Sequence, residues 1–292
     1  MRPMEPICPA CGAAGAGLFR RFSSDTFGEG REFEHRECRS CSLIFVHPAP
    51  SAADLERFYS SPRYYELVET ERELPDGTRE RPEWKSKFYD SFLAEMAAAG
   101  CAGGRLLDVG CGWGLFMERA KARGFAVSGI ELSPQPAEYV RSRLGLEVSG
   151  EGLEKEPPAS FDAVTMMDVL EHVTSPREFA AQALRALKPG GWLAVNVPNA
   201  LGFTNEIVPK LISRLRGRRN VFLQHMSEFR KASLTSLLKS AGFTAISVQG
   251  RENWRQRLEK PFPRNAAWLL LSAVGVLLGS PASLMGLARK PS

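Results

Sequence analysis

Several things missing from this chain of 292 residues narrow its class. Its first eighteen residues are rich in Pro, Gly and Cys and lack the charged start and apolar core of a secretory signal. The expectation is a cytoplasmic protein with reduced cysteines. No apolar run approaches the roughly 20 residues that a membrane-spanning helix needs. Neither an internal repeat nor a low-complexity tract is present, which sets aside solenoids and compositionally biased linkers. Charge of one sign is also scarce: 38 Lys and Arg stand against 33 Asp and Glu, a net charge of +5. That balance is modest for a nucleic-acid footprint, and no aromatic stacking stripe runs among the arginines, so a nucleic-acid partner ranks last. What remains, 43% hydrophobic and 24% charged, is ordinary globular composition with length for one main domain plus additions.

The most informative stretch is residues 105–116, Arg-Leu-Leu-Asp-Val-Gly-Cys-Gly-Trp-Gly-Leu-Phe. The apolar run Leu106, Leu107 and Val109 reads as a buried parallel strand. It breaks into Gly110, Gly112 and Gly114 and then into a helix-forming segment from Leu115 to Arg123. Glycines there let backbone approach a ligand that a β-carbon would repel. Glu131 closes the next strand-like run, Ala126 to Ile130, where a carboxylate can accept from two ribose hydroxyls. Dinucleotide sites usually read G-x-G-x-x-G, with a pyrophosphate at the helix start. Here the spacing is G-x-G-x-G, and Asp108 two residues before the first glycine suits a ligand carrying positive charge better.

Those residues resemble the class I methyltransferases that use S-adenosylmethionine (SAM), whose first motif is Asp-x-Gly-x-Gly-x-Gly. The resemblance implies SAM contacts from Asp108, Gly110, Cys111, Gly112 and Gly114, and a ribose contact from Glu131 with Leu132 beside it. It further implies that Glu151, Gly152 and Leu153 follow the third strand at the adenine edge, and that Met167 and Asp168 line the cofactor cleft. The similarity spans about residues 103–250, and physical pattern supports it. Phe161 to Met167 reads as a strand, and Phe179, Ala183, Leu184 and Leu187 recur at helical spacing until Lys188-Pro-Gly-Gly stops them. Trp192 to Val197 is a further strand. Leu234, Leu237, Leu238 and Ala241 stripe another helix with Gly242 after it, and Phe243 to Val248 is the strand that follows. Ser283 to Arg289 is expected to return antiparallel, as in the family. The fold class is therefore α/β, a Rossmann-like, mostly parallel sheet covered on both faces.

Cysteine spacing is the second strong signal. Cys8-Pro-Ala-Cys11 and Cys38-Arg-Ser-Cys41 are two C-x-x-C knuckles separated by enough chain for a small hairpin. Four thiolates suit a closed, tetrahedral, structural zinc site, and about forty residues would scarcely fold without such a clip. A redox dithiol or two unrelated pairs are the competing readings. His35 and His47 flank the site and read as surface histidines. Residues 1–47 are thus expected to form a zinc ribbon, 48–100 a lid and connector with helices at Ser51 to Tyr59 and around Phe88 to Met96, and 101–292 the SAM-binding domain.

A ribbon ahead of such a domain resembles the sugar C-methyltransferases, although a second large C-terminal domain like theirs is not expected from these 292 residues. In Gln224-His225-Met226-Ser227-Glu228-Phe229 it keeps their histidine but replaces the preceding acid with Gln224. The resemblance makes His225 the candidate general base, because imidazole titrates near working pH; a loop histidine bonded to backbone is the plainer alternative. His172, after Asp168 and Glu171, is a second candidate whose Glu-His pair often has a structural role in the family.

Two unusual segments bear on the acceptor. Within 200–224, Lys210, Arg214, Arg216, Arg218 and Arg219 interleave with Leu211, Ile212 and Leu215, which suits a phosphate, an anionic membrane surface or simply a solvated helix face. The apolar stretch 266–279 reads as a buried helix, an interfacial anchor offering peripheral membrane contact, or a cover over a lipid-linked acceptor. The leading expectation is methyl transfer to a small-molecule acceptor such as a glycan, nucleotide-sugar or other phosphorylated metabolite. The alternative is O-methylation of a lipid or quinone-like acceptor, since Asp-x-Leu-Glu-His-Val at 168–173 also resembles ubiquinone-biosynthesis methyltransferases.

Overall fold

The computed structural model describes residues 6–59, 61, 76–202, 223–251, 270, 273–275, 277 and 280–292. Most of the basic insertion, part of the lid segment and most of the apolar stretch 266–279 therefore lie outside the described residues. Among the latter, Leu270 and Leu277 are helical and 68% and 84% exposed. No helix among the described residues is long and apolar enough to cross a membrane.

Three strands open the chain: β1 (Ala16–Ser24), β2 (Arg31–Cys38) and β3 (Ile44–His47). β1 and β2 form an antiparallel hairpin in which Phe22 faces Phe33 across the ladder, their rings 5.9 Å apart. The expectation of a surface His35 fails here. Strand side chains repeat every two residues, so His35 shares the buried face of Phe33 and packs 4.5 Å from the Phe22 ring.

Helices α1 (Ala52–Tyr59) and α2 (Glu83–Ala98) follow. On α2, Phe92, Leu93 and Met96 fall at helical spacing and are all buried. Then come β4 (Gly104–Val109), α3 (Leu115–Ala122), β5 (Phe125–Ile130), α4 (Pro134–Tyr139), β6 (Glu147–Ser149) and β7 (Phe161–Met167). Next are α5 (Pro176–Ala186), β8 (Leu187–Pro198), β9 (Ser227–Glu228), α6 (Lys231–Ser240), β10 (Thr244–Arg251) and β11 (Ser283–Arg289).

Seven strands hydrogen-bond in the order β10-β11-β8-β7-β4-β5-β6, mostly parallel with one antiparallel strand, and β1-β2-β3-β9 form a second sheet. β8 begins at Leu187, ahead of the Trp192 expected from sequence. The Lys188-Pro-Gly-Gly segment is tied down by Lys290 N–H, which donates to Gly191 O (2.8 Å), and by the Arg289 guanidinium, which donates to Gly190 O (2.9 Å).

By contacts the chain divides into two compact units. One holds Met1–Ser51, Asp168–Ala181 and Asn196–Gly286; the other holds Ala52–Met167, Gln182–Val195 and Leu287–Ser292. In the second unit β4 pairs in parallel with β5 on one side and β7 on the other. The chain runs outward from β4 through β5 to β6, then returns to add β7 across β4. That reversal opens a crevice beyond the carboxyl end of β4, the usual ligand position in open α/β sheets. Its core includes the buried Leu106, Leu107, Met117 and Met166.

Candidate active site

The turn after β4 is built around two carboxylates. Asp108 stands opposite Gly129 on β5 and Thr165 on β7, and only 2% of it is exposed. The Thr165 hydroxyl donates to Asp108 Oδ1 at 2.7 Å. Burial pushes the Asp108 carboxyl up to about 7; the Thr165 hydrogen bond opposes this and the Glu131 charge adds to it. At the end of β5, Gly110 and Cys111 N–H both donate to Ile130 O, which folds the turn back over the strand. Glu131 then accepts from Gly112 N–H at 2.9 Å through Oε2 and from Ser133 N–H at 2.8 Å through Oε1. An ionised carboxylate has about four lone-pair positions, so roughly two stay available to a diol.

Gly114 closes the turn with φ 79°, and a β-carbon on it would lie 2.7 Å from Leu144 Cδ1. Both the left-handed backbone and the crowding disfavour a side chain. Gly114→Ala is expected to cost about 2 kcal/mol of stability, seen as a lower urea midpoint at unchanged slope.

The other expected cofactor residues differ in setting. Leu132 is 65% exposed, Glu151 is exposed, Gly152 is half-buried, and Leu153 and Met167 are buried. Asp168 is exposed with φ 57°, its N–H donating to Asn196 O and its Oδ1 accepting from Asn196 Nδ2 at 2.7 Å. Two residues that sequence reasoning missed are Thr165 and Ser133. The available signals were a lone hydroxyl inside the apolar run 161–167 and a serine two residues after the acid that it helps to hold.

The first unit contains a second cluster, Glu171, His172 and His225, whose candidate donor atoms lie within 4.8 Å of one another. The His172 and His225 rings meet edge to face at 4.9 Å. His172 Nδ1 lies 3.0 Å from Gln224 O, a carbonyl that can only accept, so this nitrogen carries the proton and leaves Nε2 as a lone pair. That Nε2 faces Glu171 Oε1 at 3.9 Å. Burial, aided by the nearby His225, lowers the His172 imidazole to about 3, so it is neutral at pH 7. Burial also raises Glu171 well above the usual carboxylate range, with the Asp168 charge adding to the effect. Neither Glu171 carboxyl oxygen has a hydrogen-bond partner among the described residues. The three side chains lie within reach of one cation.

The cysteines of the two knuckles gather as their spacing suggests. Cys8 and Cys41 sulfurs are 3.7 Å apart, those of Cys11 and Cys38 are 3.6 Å apart, and all four lie within 4.8 Å of one another as free thiols. A tetrahedral ion with Zn–S bonds of about 2.3 Å sets its sulfurs about 3.8 Å apart, so the donor set fits zinc in kind and in size. Each knuckle is turned by backbone bonds, Gly12 N–H to Cys8 O and Ser42 N–H to Cys38 O, both 2.9 Å. Cys101 and Cys111 are buried and are not members of this group.

A family model described as a methyltransferase domain matches residues 80–248, more than half of the chain. A ubiquinone biosynthesis O-methyltransferase from Xanthomonas euvesicatoria is 36% identical over 170 residues, covering 53% of this chain and 70% of that protein. A second enzyme so named, from Xanthomonas oryzae, is 37% identical over 171 residues with the same coverage. A SAM-dependent methyltransferase structure from Archaeoglobus fulgidus superimposes with a TM-score of 0.52 at 17% identity, covering 70% of this chain and 94% of that one. A Haemonchus contortus phosphoethanolamine N-methyltransferase in complex with SAM gives 0.52 at 17% identity over 95% of this chain and 69% of its own. These structural likenesses establish the fold; the family match and the curated relatives carry the activity. By that evidence, the chain belongs to the SAM-dependent methyltransferases.

Proposed function

We propose that this enzyme transfers the methyl group of SAM to a hydroxyl of a small aromatic, quinone-precursor-like acceptor. The observation that carries the reading is the run of 36–37% identity to enzymes named ubiquinone biosynthesis O-methyltransferases. A glycan or nucleotide-sugar acceptor finds no support among these relatives. SAM supplies an electrophilic methyl group on a sulfonium that is already a good leaving group, so little chemical activation is asked of the protein.

In this reading Glu131 accepts hydrogen bonds from the two ribose hydroxyls, and Gly112 brings its backbone close enough for them to reach. Gly110, Cys111, Gly114 and Leu132 shape the remaining wall, Glu151, Gly152 and Leu153 border the adenine, and Met167 and Asp168 line the cleft. Asp108 faces the positively charged amino acid end. His225 accepts the proton of the acceptor hydroxyl, while His172, neutral and fixed on Gln224 O, packs against its ring. Cys8, Cys11, Cys38 and Cys41 hold a structural zinc ion.

A pH effect follows from Asp108. With its carboxyl raised to about 7 in the free protein, half of the molecules carry the proton at neutrality. A cationic ligand needs the carboxylate, so below pH 7 binding must expel that proton. SAM affinity is therefore expected to fall up to about tenfold per pH unit below 7 and to level off above it, read by calorimetry in buffers of different ionisation enthalpy. The free protein shows the opposite trend. The unfolded chain loses this proton near 3.8 while the folded one keeps it to about 7, so the group's stabilising contribution declines over that window.

The acceptor is tested by incubating the purified protein with SAM and a panel of catechols, with and without prenyl tails, beside nucleotide-sugars. The expected product is a catechol one methylene heavier. A gain confined to the tailed compounds would point to a lipid-linked acceptor, and a gain confined to nucleotide-sugars would overturn the aromatic reading.

A further inference from the structure

We infer that the four-cysteine ribbon is the positioning device for His225, so that metal occupancy of the ribbon controls the acceptor step without controlling SAM binding. The inference rests on His225 as the proton acceptor, and its bonds can be traced one by one.

His225 lies in a stretch with little regular structure of its own. The ribbon supplies bonds on both sides of it, beside the His172 Nδ1 bond to Gln224 O. Ahead of His225, Leu223 N–H donates to Thr26 Oγ1 at 2.9 Å, and that hydroxyl also receives the buried Ser24 hydroxyl at 3.0 Å. Directly after it, Met226 O accepts from Val46 N–H at 3.0 Å. Ser227 and Glu228, the whole of β9, then pair with Phe45 and Ile44 of β3. Two residues further on, the Arg230 guanidinium meets Glu37 Oε1 at 2.8 Å. From the other side Glu171 O accepts from Met226 N–H at 2.6 Å and Ser227 N–H at 3.0 Å. His225 is thus held between the ribbon and the loop that carries His172.

A two-residue strand has no stability of its own; β9 exists because β3 offers it an edge. The orientation of β3 depends in turn on the second knuckle. Cys38 ends β2, Cys41 sits in the turn, and Cys38 N–H donates to Leu43 O at 2.9 Å to launch the next strand. The partners Thr26 and Glu37 lie between the two knuckles, and Ile44 to Val46 follow directly after the second. A ribbon of this size depends on its metal clip for a fold, so metal loss unmakes the edge that holds Ser227 and Glu228. Asp108, Gly112, Glu131 and Ser133 belong to the other compact unit and take their hydrogen bonds within it.

The test uses the full-length protein as purified, with zinc counted by elemental analysis and then removed by a mercurial reagent in the presence of a chelator. Four readouts accompany removal: SAM affinity by calorimetry, amide exchange at Leu223 and Val46, whose N–H groups bond across the ribbon contact, the pH titration of the His225 ring by NMR, and kcat with KM for the acceptor. The expected result is unchanged SAM affinity, loss of amide protection, a shifted His225 titration and a fall of about tenfold in kcat, since small misplacements of a catalytic group are costly. Readdition of zinc restores all of them. Thr26→Val leaves every cysteine in place and removes the hydroxyl that accepts from Leu223 N–H and from the Ser24 hydroxyl. It should lower kcat several-fold at full zinc content and unchanged SAM affinity. Metal-free protein that keeps its Leu223 and Val46 protection and its kcat overturns the inference. If zinc-loaded His225→Ala turns over normally, the proton-acceptor reading fails on its own, whether or not metal removal releases the Leu223 and Val46 amides.

Discussion

Replacing Glu131 with alanine should weaken SAM binding by roughly 10² to 10⁴-fold while leaving the protein folded. The carboxylate accepts from Gly112 N–H with one oxygen and from Ser133 N–H with the other, which leaves about two lone-pair positions for a ligand. Two ribose hydroxyls that donate to it make hydrogen bonds to a charged group, worth about 1.5–3 kcal/mol each. Truncation removes both and also frees the glycine turn whose backbone the ligand must approach. Glu131→Gln tests the charge separately: its amide can accept from only one of the two backbone donors and presents N–H₂ to the other, so its loss should be nearly as large. Calorimetry on material with wild-type circular dichroism decides the matter. A folded Glu131→Ala protein with wild-type affinity would remove this residue from the donor site and with it the reading of the whole turn.

The parts of this site that were legible in the sequence are those whose geometry is local. Strand, glycine turn, helix, strand and acid follow one another within residues 105–131, so Asp108, the glycines and Glu131 announce their arrangement through spacing alone. The two C-x-x-C knuckles are local in the same sense, and their sulfurs meet. Thr165 was not legible, because its hydroxyl meets Asp108 only through the register of two parallel strands 57 residues apart. Nor was β9. Two residues carry no periodicity, and their partner strand lies near the other end of the chain. The surface reading of His35 failed for a related reason: a histidine beside metal ligands looks solvent-facing until the hairpin register puts it on the same face as Phe22 and Phe33. The helix ends just ahead of Lys188-Pro-Gly-Gly, as expected, but the strand that follows starts at Leu187 and not at Trp192, because turn residues read by composition hid their bonds to Arg289 and Lys290.

His225→Ala carries the second large effect, a fall in kcat of about 10² to 10⁴-fold at unchanged SAM affinity, the range expected for loss of a positioned general base. The neighbouring groups favour this histidine over His172. The His172 imidazole is neutral down to about pH 3 and already gives its Nδ1 proton to Gln224 O. Glu171 is held neutral by burial, so it cannot serve as a standing base at pH 7. His225 is half-buried and has a ring edge against His172, which limits its rotation. Backbone bonds secure Leu223, Met226 and Ser227 on either side of it. The expected kinetic pattern is therefore a split. KM for the acceptor changes little, kcat collapses, and the acid limb of the kcat–pH profile disappears because the group that must be unprotonated is gone. His172→Ala should behave differently, disturbing the Gln224 carbonyl and lowering kcat with that limb still present. Acceptors with more acidic hydroxyls provide the sharpest check. They need less help from a base, so they should recover much of the rate in His225→Ala and gain little in the wild type. An equal loss for acidic and weakly acidic hydroxyls would mean that His225 places the acceptor and takes no proton from it.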